Sequence, residues 1–465
     1  MHRPGAPVTT ALEPMPATPP HHRMLSDARA ILRLGVPLVI GNLATAGMML
    51  ADTLMAGQLG GNALAAVAVG SSYYAVFMVL GLGAMTALSP LVAHAYGAGR
   101  DDLVGSYASQ GAWIGAVLAA LLVAGLLAVH PVLLWVGTDP AIVPDAVGYV
   151  HAVSAGIPGM IGFHALRAIS EGLGRTRPMM VVGVFGLATN VLANWLFMYG
   201  KLGLPALGAV GTGVATAIVQ WVMFGAMAWH VSRHGAYRPY GILRRPGRPE
   251  RSRVFEILRL GLPIGGSMIA ECALFSAAGL MVSTLGANVV AAHQIALNWA
   301  SFMFMAPVSI HSATTIHVGH ALGRGDRPAA RLAGFAGIGL CALLMLVSAL
   351  VLAVASDRIA ALYTADPAIR TFAAQLLLLA GVFQVSDGLQ VGAMGALRGF
   401  KDARVPLVIT IGSYWAIGFP LALYGGIVRG GGPAGVWWGL IAGLSVSAAF
   451  LNLRFARMSR SPNAK

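Results

Sequence analysis

Residues 258–298 read LRLGLPIGGSMIAECALFSAAGLMVSTLGANVVAAHQIALN and are apolar enough to lie in a lipid bilayer. They nevertheless contain one carboxylate, Glu271, far from either end. A charge inside lipid costs at least about 2.5 kcal/mol, so such a residue normally faces a cavity or a partner and marks an ion or proton path. Gln294 and Asn298 are one helical turn apart and therefore share a face. We interpret the stretch as two membrane helices that carry part of a transport site.

The composition of the whole chain is that of a polytopic membrane protein. Of its 465 residues, 57% are hydrophobic and only 10% are charged, whereas soluble proteins have about 25% charged residues. A spanning helix needs about 20 mostly apolar residues. Twelve segments meet this need, at about 33–56, 64–92, 106–129, 146–169, 179–200, 207–230, 256–284, 288–317, 332–355, 369–397, 405–427 and 434–455.

The basic residues lie mainly on one side of these twelve spans. If both termini and every second loop share a side, that side holds all 30 Lys and Arg residues except Lys201, Arg358, Arg370 and Arg429. Because basic loops stay in the cytoplasm, we expect both termini to be cytoplasmic. This distribution also explains the net charge of +14 without a nucleic-acid partner.

The chain repeats itself, which predicts two related halves. Residues 31–102 align without a gap on residues 257–328, so that Pro37 matches Pro263 and His94 matches His320. The later part repeats more weakly, with Gly172 against Gly399. Six helices followed by six in the same orientation form a parallel repeat, and substrate sites tend to lie between such halves. We therefore predict an all-α membrane protein with twelve transmembrane helices in two pseudo-symmetric six-helix bundles.

The predicted boundaries follow from these patterns. We expect a flexible N-terminal tail at 1–25, an N-terminal lobe at 26–235, a C-terminal lobe at 256–456 and a C-terminal tail at 457–465. Between the lobes, residues 236–255 form a predicted cytoplasmic linker that contacts anionic lipid headgroups. Its basic residues are Arg238, Arg244, Arg245, Arg248, Arg251 and Arg253.

Three of the 16 acidic residues fall well inside the predicted spans, namely Asp52, Glu271 and Asp387, whereas Glu256 stands at the very start of one. The repeat does not pair them, which suggests different tasks for the two lobes. Gln384, Asp387 and Gln390 are spaced by three and form a polar stripe on one helix face. Carboxylate and amide oxygens suit a small cation, and a desolvated carboxylate can equally take a proton. The alternative is a structural hydrogen bond between helices.

A second polar cluster is predicted in the N-terminal lobe. Asp52 and Thr45 share one helix face, and Asn190 and Asn194 share another. With Thr216 in the sixth span, these residues could form a proton or substrate site. The alternative is that they join neighbouring helices by hydrogen bonds, as polar side chains do in membranes.

Other chemistry has less support in the sequence. His311, His317 and His320 lie in one helix, and His317 and His320 are spaced by three, as a metal-binding pair could be. No third ligand for such a pair is evident, so we expect neither a metal site there nor a cofactor. A membrane-embedded enzyme would need a constellation such as HExxH or GxSxG, and neither occurs. We therefore do not expect an enzyme.

The sequence resembles the multidrug and toxin extrusion family, and within it the NorM branch, over residues 26–456. The order and spacing of several motifs carry the resemblance: ADTLMAG at 51–57, EGLGRTRPMM at 171–180, YGKLGLPALGAVGTGVATAI at 199–218, VVAAHQIALN at 289–298 and SDGLQ at 386–390. It implies a monomeric exporter of drugs and toxic organic cations in the bacterial inner membrane. Export is driven by exchange for Na⁺ or H⁺, and the two lobes alternate in opening a central cavity.

The resemblance also implies roles for individual residues. Glu271 and Asp387 match the coupling-ion site in the C-terminal lobe, where Na⁺ is a candidate ligand, and Asp52 matches an implicated position in the N-terminal lobe. We add Gln294, Asn298 and Phe383 to the predicted ion site. Relatives tend to have tyrosine at Phe383, and the missing hydroxyl leaves Na⁺ and H⁺ as alternatives.

Two other transporter classes are alternatives to an exporter of this kind. A flippase for lipid-linked oligosaccharide or lipid of the same superfamily would favour cationic side chains in its cavity, but the predicted spans contain almost no Arg or Lys. A major-facilitator transporter would usually have a loop after the second span rich in Arg and Gly, and GAGRDD at 97–102 fits that poorly.

Overall fold

The structure is a computed structural model that describes residues 20–243 and 247–460, and its secondary structure there is helical. The first half of the chain contains α1 (Pro20–Gln58), α2 (Gly61–Thr86), α3 (Leu88–Gly97), α4 (Asp101–Leu127), α5 (Val129–Val136), α6 (Val143–Ser154), α7 (Ile157–Gly172), α8 (Arg177–Tyr199) and α9 (Gly208–Arg233). A 3₁₀ turn, Gly235–Tyr240, follows.

The second half contains α10 (Arg251–Ser283), α11 (Ala287–Gly323), α12 (Arg327–Tyr363), α13 (Pro367–Gly399), α14 (Arg404–Ile411), α15 (Phe419–Leu423) and α16 (Gly432–Arg460). Two π-helical segments, Gly412–Gly418 and Tyr424–Val428, flank α15.

These helices form twelve spans within the described residues. Eleven are long and apolar enough to cross a membrane, and α6 with α7, bent by 46°, makes the twelfth. The pair α2 and α3 forms one span, as does the run from α14 to Val428. The twelve-helix fold that the sequence predicts is therefore confirmed. Because the spans alternate in direction, both chain ends lie on one face. We call this the basic face, and it also bears residues 97–101, 173–177, 323–327 and 399–404.

Several helices extend beyond the apolar segments. α1 begins at Pro20, so the predicted tail at 1–25 is too long by at least six residues. Proline fits the first turn of a helix, where its missing N–H has no intrahelical partner. Similarly, α16 continues to Arg460, inside the predicted tail at 457–465, and α10 begins at Arg251, inside the predicted linker. Helix hydrogen bonds need no lipid, so helices continue past the membrane span. Residues 1–19, 244–246 and 461–465, including Arg244 and Arg245, lie outside the described part of the chain.

The two lobes meet near the basic face. A Cβ atom on Gly83 of α2 would overlap the Cα atom of Gly265 in α10, so two backbones touch there without side chains between them. Likewise, a Cβ atom on Gly97 would overlap the backbone of His320. Glycine at these positions is required by the close approach of the helices. The lobes therefore pack tightly on this side.

Hydrogen bonds reinforce the contact between the lobes. His94 Nε2 lies 2.7 Å from the carbonyl oxygen of Gly399, and His320 Nε2 lies 2.7 Å from that of Gly172. These two contacts relate repeat-equivalent residues, so they are a pseudo-symmetric pair. The Asn42 amide donates to the Ser309 hydroxyl at 3.0 Å. The structure is accordingly closed at the basic face.

Two further histidines of α11, His317 and His311, also have specific partners. His317 Nε2 lies 2.9 Å from the carboxylate of Asp27 in α1, which adds a further contact between the lobes. His311 Nδ1 lies 2.8 Å from the carbonyl oxygen of Val391 within the C-terminal lobe. Packing and closure therefore account for these side chains.

Candidate functional site

Glu271 and Asp387 form the centre of the candidate site in the C-terminal lobe. Glu271 lies on α10 and Asp387 on α13, and they are close enough for their charges to interact. Asp387 is only 4% exposed, and Glu271 is half-buried. Neither carboxylate has a hydrogen bond or ion pair with another residue of the described ranges. Two unpaired acids inside an apolar bundle repel each other, so the pair favours binding of a cation or a proton.

The glutamines of the predicted stripe flank Asp387 and retain free polar atoms. Ser348 donates its hydroxyl hydrogen to Gln384 Oε1 at 2.8 Å, which leaves Gln384 Nε2 without a partner. Gln390 Nε2 donates to the Tyr414 hydroxyl at 2.5 Å, which leaves Gln390 Oε1 without a partner. Unpaired buried polar atoms are costly. The two glutamines therefore keep unpaired polar atoms that a ligand of this site can contact.

Phe383 lies one turn from Asp387 on α13 and belongs to an aromatic cluster. Its ring contacts those of Phe275 and Trp437 edge to face, with centroids 5.8 and 5.9 Å away. The Trp437 indole donates to His293 Nδ1 at 3.1 Å. The cluster fixes the position of Phe383, and its contact with an ion stays a prediction.

Gln294 and Asn298 share a face of α11, as predicted, but no hydrogen bond joins them to the acids. Both side chains are exposed. Asn298 Oδ1 accepts a hydrogen bond of 3.0 Å from Tyr363, the last residue of α12. The chain turns back at residues 284–286. Gln294 and Asn298 therefore make no hydrogen bond with Glu271, although they are close to it in the sequence. Their part in ion binding remains a prediction.

The structure adds two residues that the sequence analysis did not assign to the site. Arg398, in the last turn of α13, is close enough for its charge to interact with that of Glu271. It has no ion pair within the described residues. Tyr414 is fully buried in the first π-helical segment, and the charges of both acids reach it. Such segments often occur at functional sites. The one sequence feature that pointed to Arg398 was the motif LRGF at 397–400, which puts an arginine next to the predicted span 369–397.

The polar cluster in the N-terminal lobe forms largely as predicted. Asn190 Nδ2 and Asn194 Nδ2 both donate to Asp52 Oδ1, at 3.0 and 2.6 Å. The side-chain oxygen of Asn194 is buried without a partner, as is the hydroxyl of Thr216. Thr45 differs, because its hydroxyl donates to the Gly41 carbonyl of its own helix. Thr45 therefore does not join the cluster.

Two tyrosines and a glutamine lie near this cluster, and sequence spacing alone could not assign them to it. The charge of Asp52 reaches both Tyr74 and Tyr149. Gln220 Nε2 donates to the Tyr74 hydroxyl at 2.6 Å, and Gln220 Oε1 is buried without a partner. Each lobe therefore contains acidic side chains with partly unsatisfied polar groups nearby, Asp52 in the N-terminal lobe and Glu271 with Asp387 in the C-terminal lobe.

Comparison with known proteins is consistent with this two-lobed arrangement. The family model MatE matches residues 37–196 and 263–424, one stretch in each half of the chain. The chain belongs to the multidrug and toxin extrusion (MatE) family. Members of the MatE family are membrane transporters, so this multi-pass protein is a transporter and not an enzyme.

The relatives and solved structures cover nearly the whole chain. The multidrug resistance protein MdtK of Yersinia pseudotuberculosis is 39% identical over 447 residues, which are 95% of this chain and 98% of that protein. MdtK of Yersinia enterocolitica is 38% identical with the same coverage. A crystal structure of MATE in complex with MaD3S matches with a TM-score of 0.86 at 22% identity, over 94% of this chain and 97% of that one. The eukaryotic MATE transporter AtDTX14 matches with a TM-score of 0.82 at 19% identity, over 94% and 99%. At such identities these structures establish the MatE fold alone.

Proposed function

We propose that this transporter is a multidrug efflux antiporter of the NorM branch that exports organic cations in exchange for Na⁺ or H⁺. It works as a monomer in the bacterial inner membrane, with the basic face in the cytoplasm. Its relatives of similar length, named multidrug resistance proteins, support the substrate class. The basic loops support the orientation.

One observation carries the coupling mechanism, namely the unpaired carboxylates of Glu271 and Asp387 in one lobe. Two negative charges in a low-dielectric interior repel each other strongly. A Na⁺ ion or a proton between them removes that repulsion, so the site is occupied when the cation concentration at its open side is high. Gln390 Oε1, which has no hydrogen-bond partner, is available as a further oxygen ligand within the same lobe.

Occupation of the site must favour one conformation for transport to be coupled, because equal affinity for both states would shift nothing. We assign the closed basic face to the state that is open to the outside, where we expect the coupling ion to bind. Arg398 supplies a fixed positive charge that the charge of Glu271 feels. When the lobes rock, we expect this guanidinium to compete for Glu271 and so to promote release of the ion toward the cytoplasm.

The N-terminal cluster around Asp52 supplies the second half of the exchange. Asp52 keeps one carboxylate oxygen free of hydrogen bonds in the described structure, because both asparagines bind the other. A negative atom beside Tyr74 and Tyr149 suits an organic cation, since aromatic faces attract cations. We assign substrate binding to this lobe and ion binding to the other.

The deciding experiment separates the two gradients. Purified protein in proteoliposomes is given a fluorescent lipophilic cation and either a Na⁺ gradient at constant pH or a pH gradient without Na⁺. We expect one gradient to drive accumulation or release of the dye and Glu271→Gln to abolish the effect. If neither gradient moves the dye in wild-type vesicles, the proposed antiport is wrong.

A further inference from the structure

A cavity of about 630 Å³ lies on the basic face of the N-terminal lobe, away from both acid sites. It is bounded by the start of α8, the end of α9, one side of α1 and the 3₁₀ turn. Among the described residues, three arginines, Arg33, Arg175 and Arg177, line it, and no Asp or Glu does. None of the three has an ion pair within the described residues. Three uncompensated positive charges around one cavity attract an anion.

Arg175 is the least exposed of the three arginines. Its guanidinium lies over the ring of Tyr237, 5.3 Å from the centroid, and its Nε atom is buried without an acceptor. Burial raises the pKa of the Tyr237 hydroxyl, so the ring stays neutral beneath the cation. The N-cap residue of α8, Thr176, makes no side-chain cap hydrogen bond, and the positive N-terminal end of this 23-residue helix borders the same cavity. Helix N-termini bind phosphate groups well.

The remaining walls of the cavity are apolar and continue onto the membrane-facing surface. Val181, Phe185 and Trp229 line it and are 61%, 53% and 65% exposed. Val184 and Leu192 extend the exposed apolar surface of α8 away from the basic face. A ligand here therefore meets arginines at one end and lipid-facing hydrophobic side chains at the other.

We propose that this cavity binds the phosphate headgroup of an anionic phospholipid from the leaflet at the basic face, with its acyl chains along α8. Arginine pairs with phosphate through two parallel hydrogen bonds. The apolar surface of Phe185 and Trp229 would contact the acyl chains. A free phosphate has no acyl chains, so this surface favours a lipid. Arg175 and Thr176 lie three and four residues after Gly172, which accepts the hydrogen bond of His320. An occupied site would therefore stiffen the segment that contacts the other lobe.

The other lobe provides an internal comparison. In the repeat, Arg33 matches Arg259 and Arg177 matches Arg404, but Arg175 matches Asp402. Asp402 is paired with Arg454 at 3.0 Å, so the charge equivalent to that of Arg175 is reversed and neutralised in the C-terminal lobe. We therefore expect the C-terminal lobe to lack the same preference for an anionic lipid.

Native mass spectrometry of the purified full-length protein tests the proposal. Delipidated protein is titrated with phosphatidylglycerol or with phosphatidylcholine of identical chains. We expect phosphatidylglycerol to bind more tightly. The double variant Arg33→Gln/Arg177→Gln should weaken its binding by about tenfold or more, because each arginine near the surface contributes roughly fivefold. The matched control, Arg259→Gln/Arg404→Gln, should stay within about twofold of the wild type. Arg175→Gln is the third variant and should weaken binding by itself.

Two measurements on the wild type keep the test independent of folding of the variants. Glycerophosphoglycerol, which has the headgroup without chains, should not displace the lipid at equal concentration. Phosphatidylglycerol adducts should also decrease when salt shortens the Debye length to about 3 Å. Equal binding of the two lipids, wild-type binding by the Arg33/Arg177 variant, or displacement by the chain-free headgroup would each overturn the proposal. The last result would indicate a site for soluble phosphates instead.

Discussion

The imidazole of His94 in α3 reaches across the boundary between the lobes to the carbonyl oxygen of Gly399 at the end of α13, at 2.7 Å. Its repeat-equivalent, His320, makes the same contact with Gly172 in the opposite direction. Both contacts close the basic face and must break when that face opens. They are therefore part of the free-energy difference between the two states of the transporter.

Replacing either histidine should favour the state that is open at the basic face. Loss of one hydrogen bond is worth about 1 kcal/mol, so His94→Ala or His320→Ala should shift the conformational equilibrium roughly fivefold. Ala313 is fully buried near the boundary with α1. The rate at which a maleimide labels Ala313→Cys, with Cys272 and Cys341 replaced by serine, reports the opening. His94→Gln, which can still donate to Gly399, is the control. An unchanged labelling rate in both alanine variants would show that these contacts do not control opening.

Glu271 and Asp387 should be equally essential for coupling. Glu271→Gln and Asp387→Asn remove the charges that attract the cation but keep most of the side-chain volume. We expect each variant to lose gradient-driven efflux while dye binding survives. Because groups that act as a unit are not additive, the double variant should be little worse than either single one. Efflux rates from proteoliposomes and equilibrium dye binding are the two measurements. Losses that multiply in the double variant would mean two separate sites.

Asp52→Asn should impair export without unfolding the protein. Its side-chain oxygen can still accept from Asn190 or Asn194, but the negative charge is lost. The matched control is Thr45→Val, because the Thr45 hydroxyl bonds only to its own helix. We expect efflux from cells expressing equal amounts to fall for Asp52→Asn and to stay normal for Thr45→Val. Normal efflux in Asp52→Asn at every pH would reduce Asp52 to a residue that joins helices.

Removal of the positive charge of Arg398 should tighten binding of the coupling ion. Without that charge, the negative potential at Glu271 is deeper, so the half-saturating cation concentration for Arg398→Gln should fall by roughly tenfold. Slower release should lower the maximal rate. Arg398→Lys keeps the charge and should change both quantities less. The cation dependence of dye efflux measures them, and an unchanged half-saturating concentration in Arg398→Gln would separate Arg398 from the ion site.

The orientation is testable by labelling single cysteines in intact cells. Arg248→Cys lies on the basic face and Asn62→Cys near the start of α2 on the opposite face, and both positions are exposed. We expect a membrane-impermeant maleimide to label only Asn62→Cys from outside. The Arg248→Cys protein should react after the cells are opened. Labelling of Arg248→Cys in intact cells would reverse the assignment of the faces.

Much of the fold follows from the sequence because membrane helices satisfy their own backbone hydrogen bonds. Apolar length therefore sets the spans. The repeat sets the relation between the lobes, and it explains why His94 and His320 make equivalent contacts. Spacing of four residues along one helix was also enough to bring Asn190 and Asn194 together on Asp52.

Contacts between helices that are far apart along the chain could not be predicted from the sequence. Tyr414 of the first π-helical segment reaches the ion site through its hydrogen bond with Gln390 of α13, and nothing in its local pattern indicates that contact. Gln294 and Asn298 are close to Glu271 along the chain, yet the turn after α10 directs them elsewhere. The helices were also predicted too short, because hydropathy indicates where the lipid boundary lies and not which residue is the last helical one.

The contact between Gly83 and Gly265 has a mechanical consequence. Where helices interlock through side chains, rotating one against the other requires those side chains to leave their grooves and to change rotamers. The backbones at Gly83 and Gly265 instead touch directly. The two helices can therefore rotate about this point with little change in buried area. In the alternating movement that we propose, the few hydrogen bonds that flank this contact therefore provide most of the resistance, and modest binding energies of an ion or a drug would turn one lobe against the other.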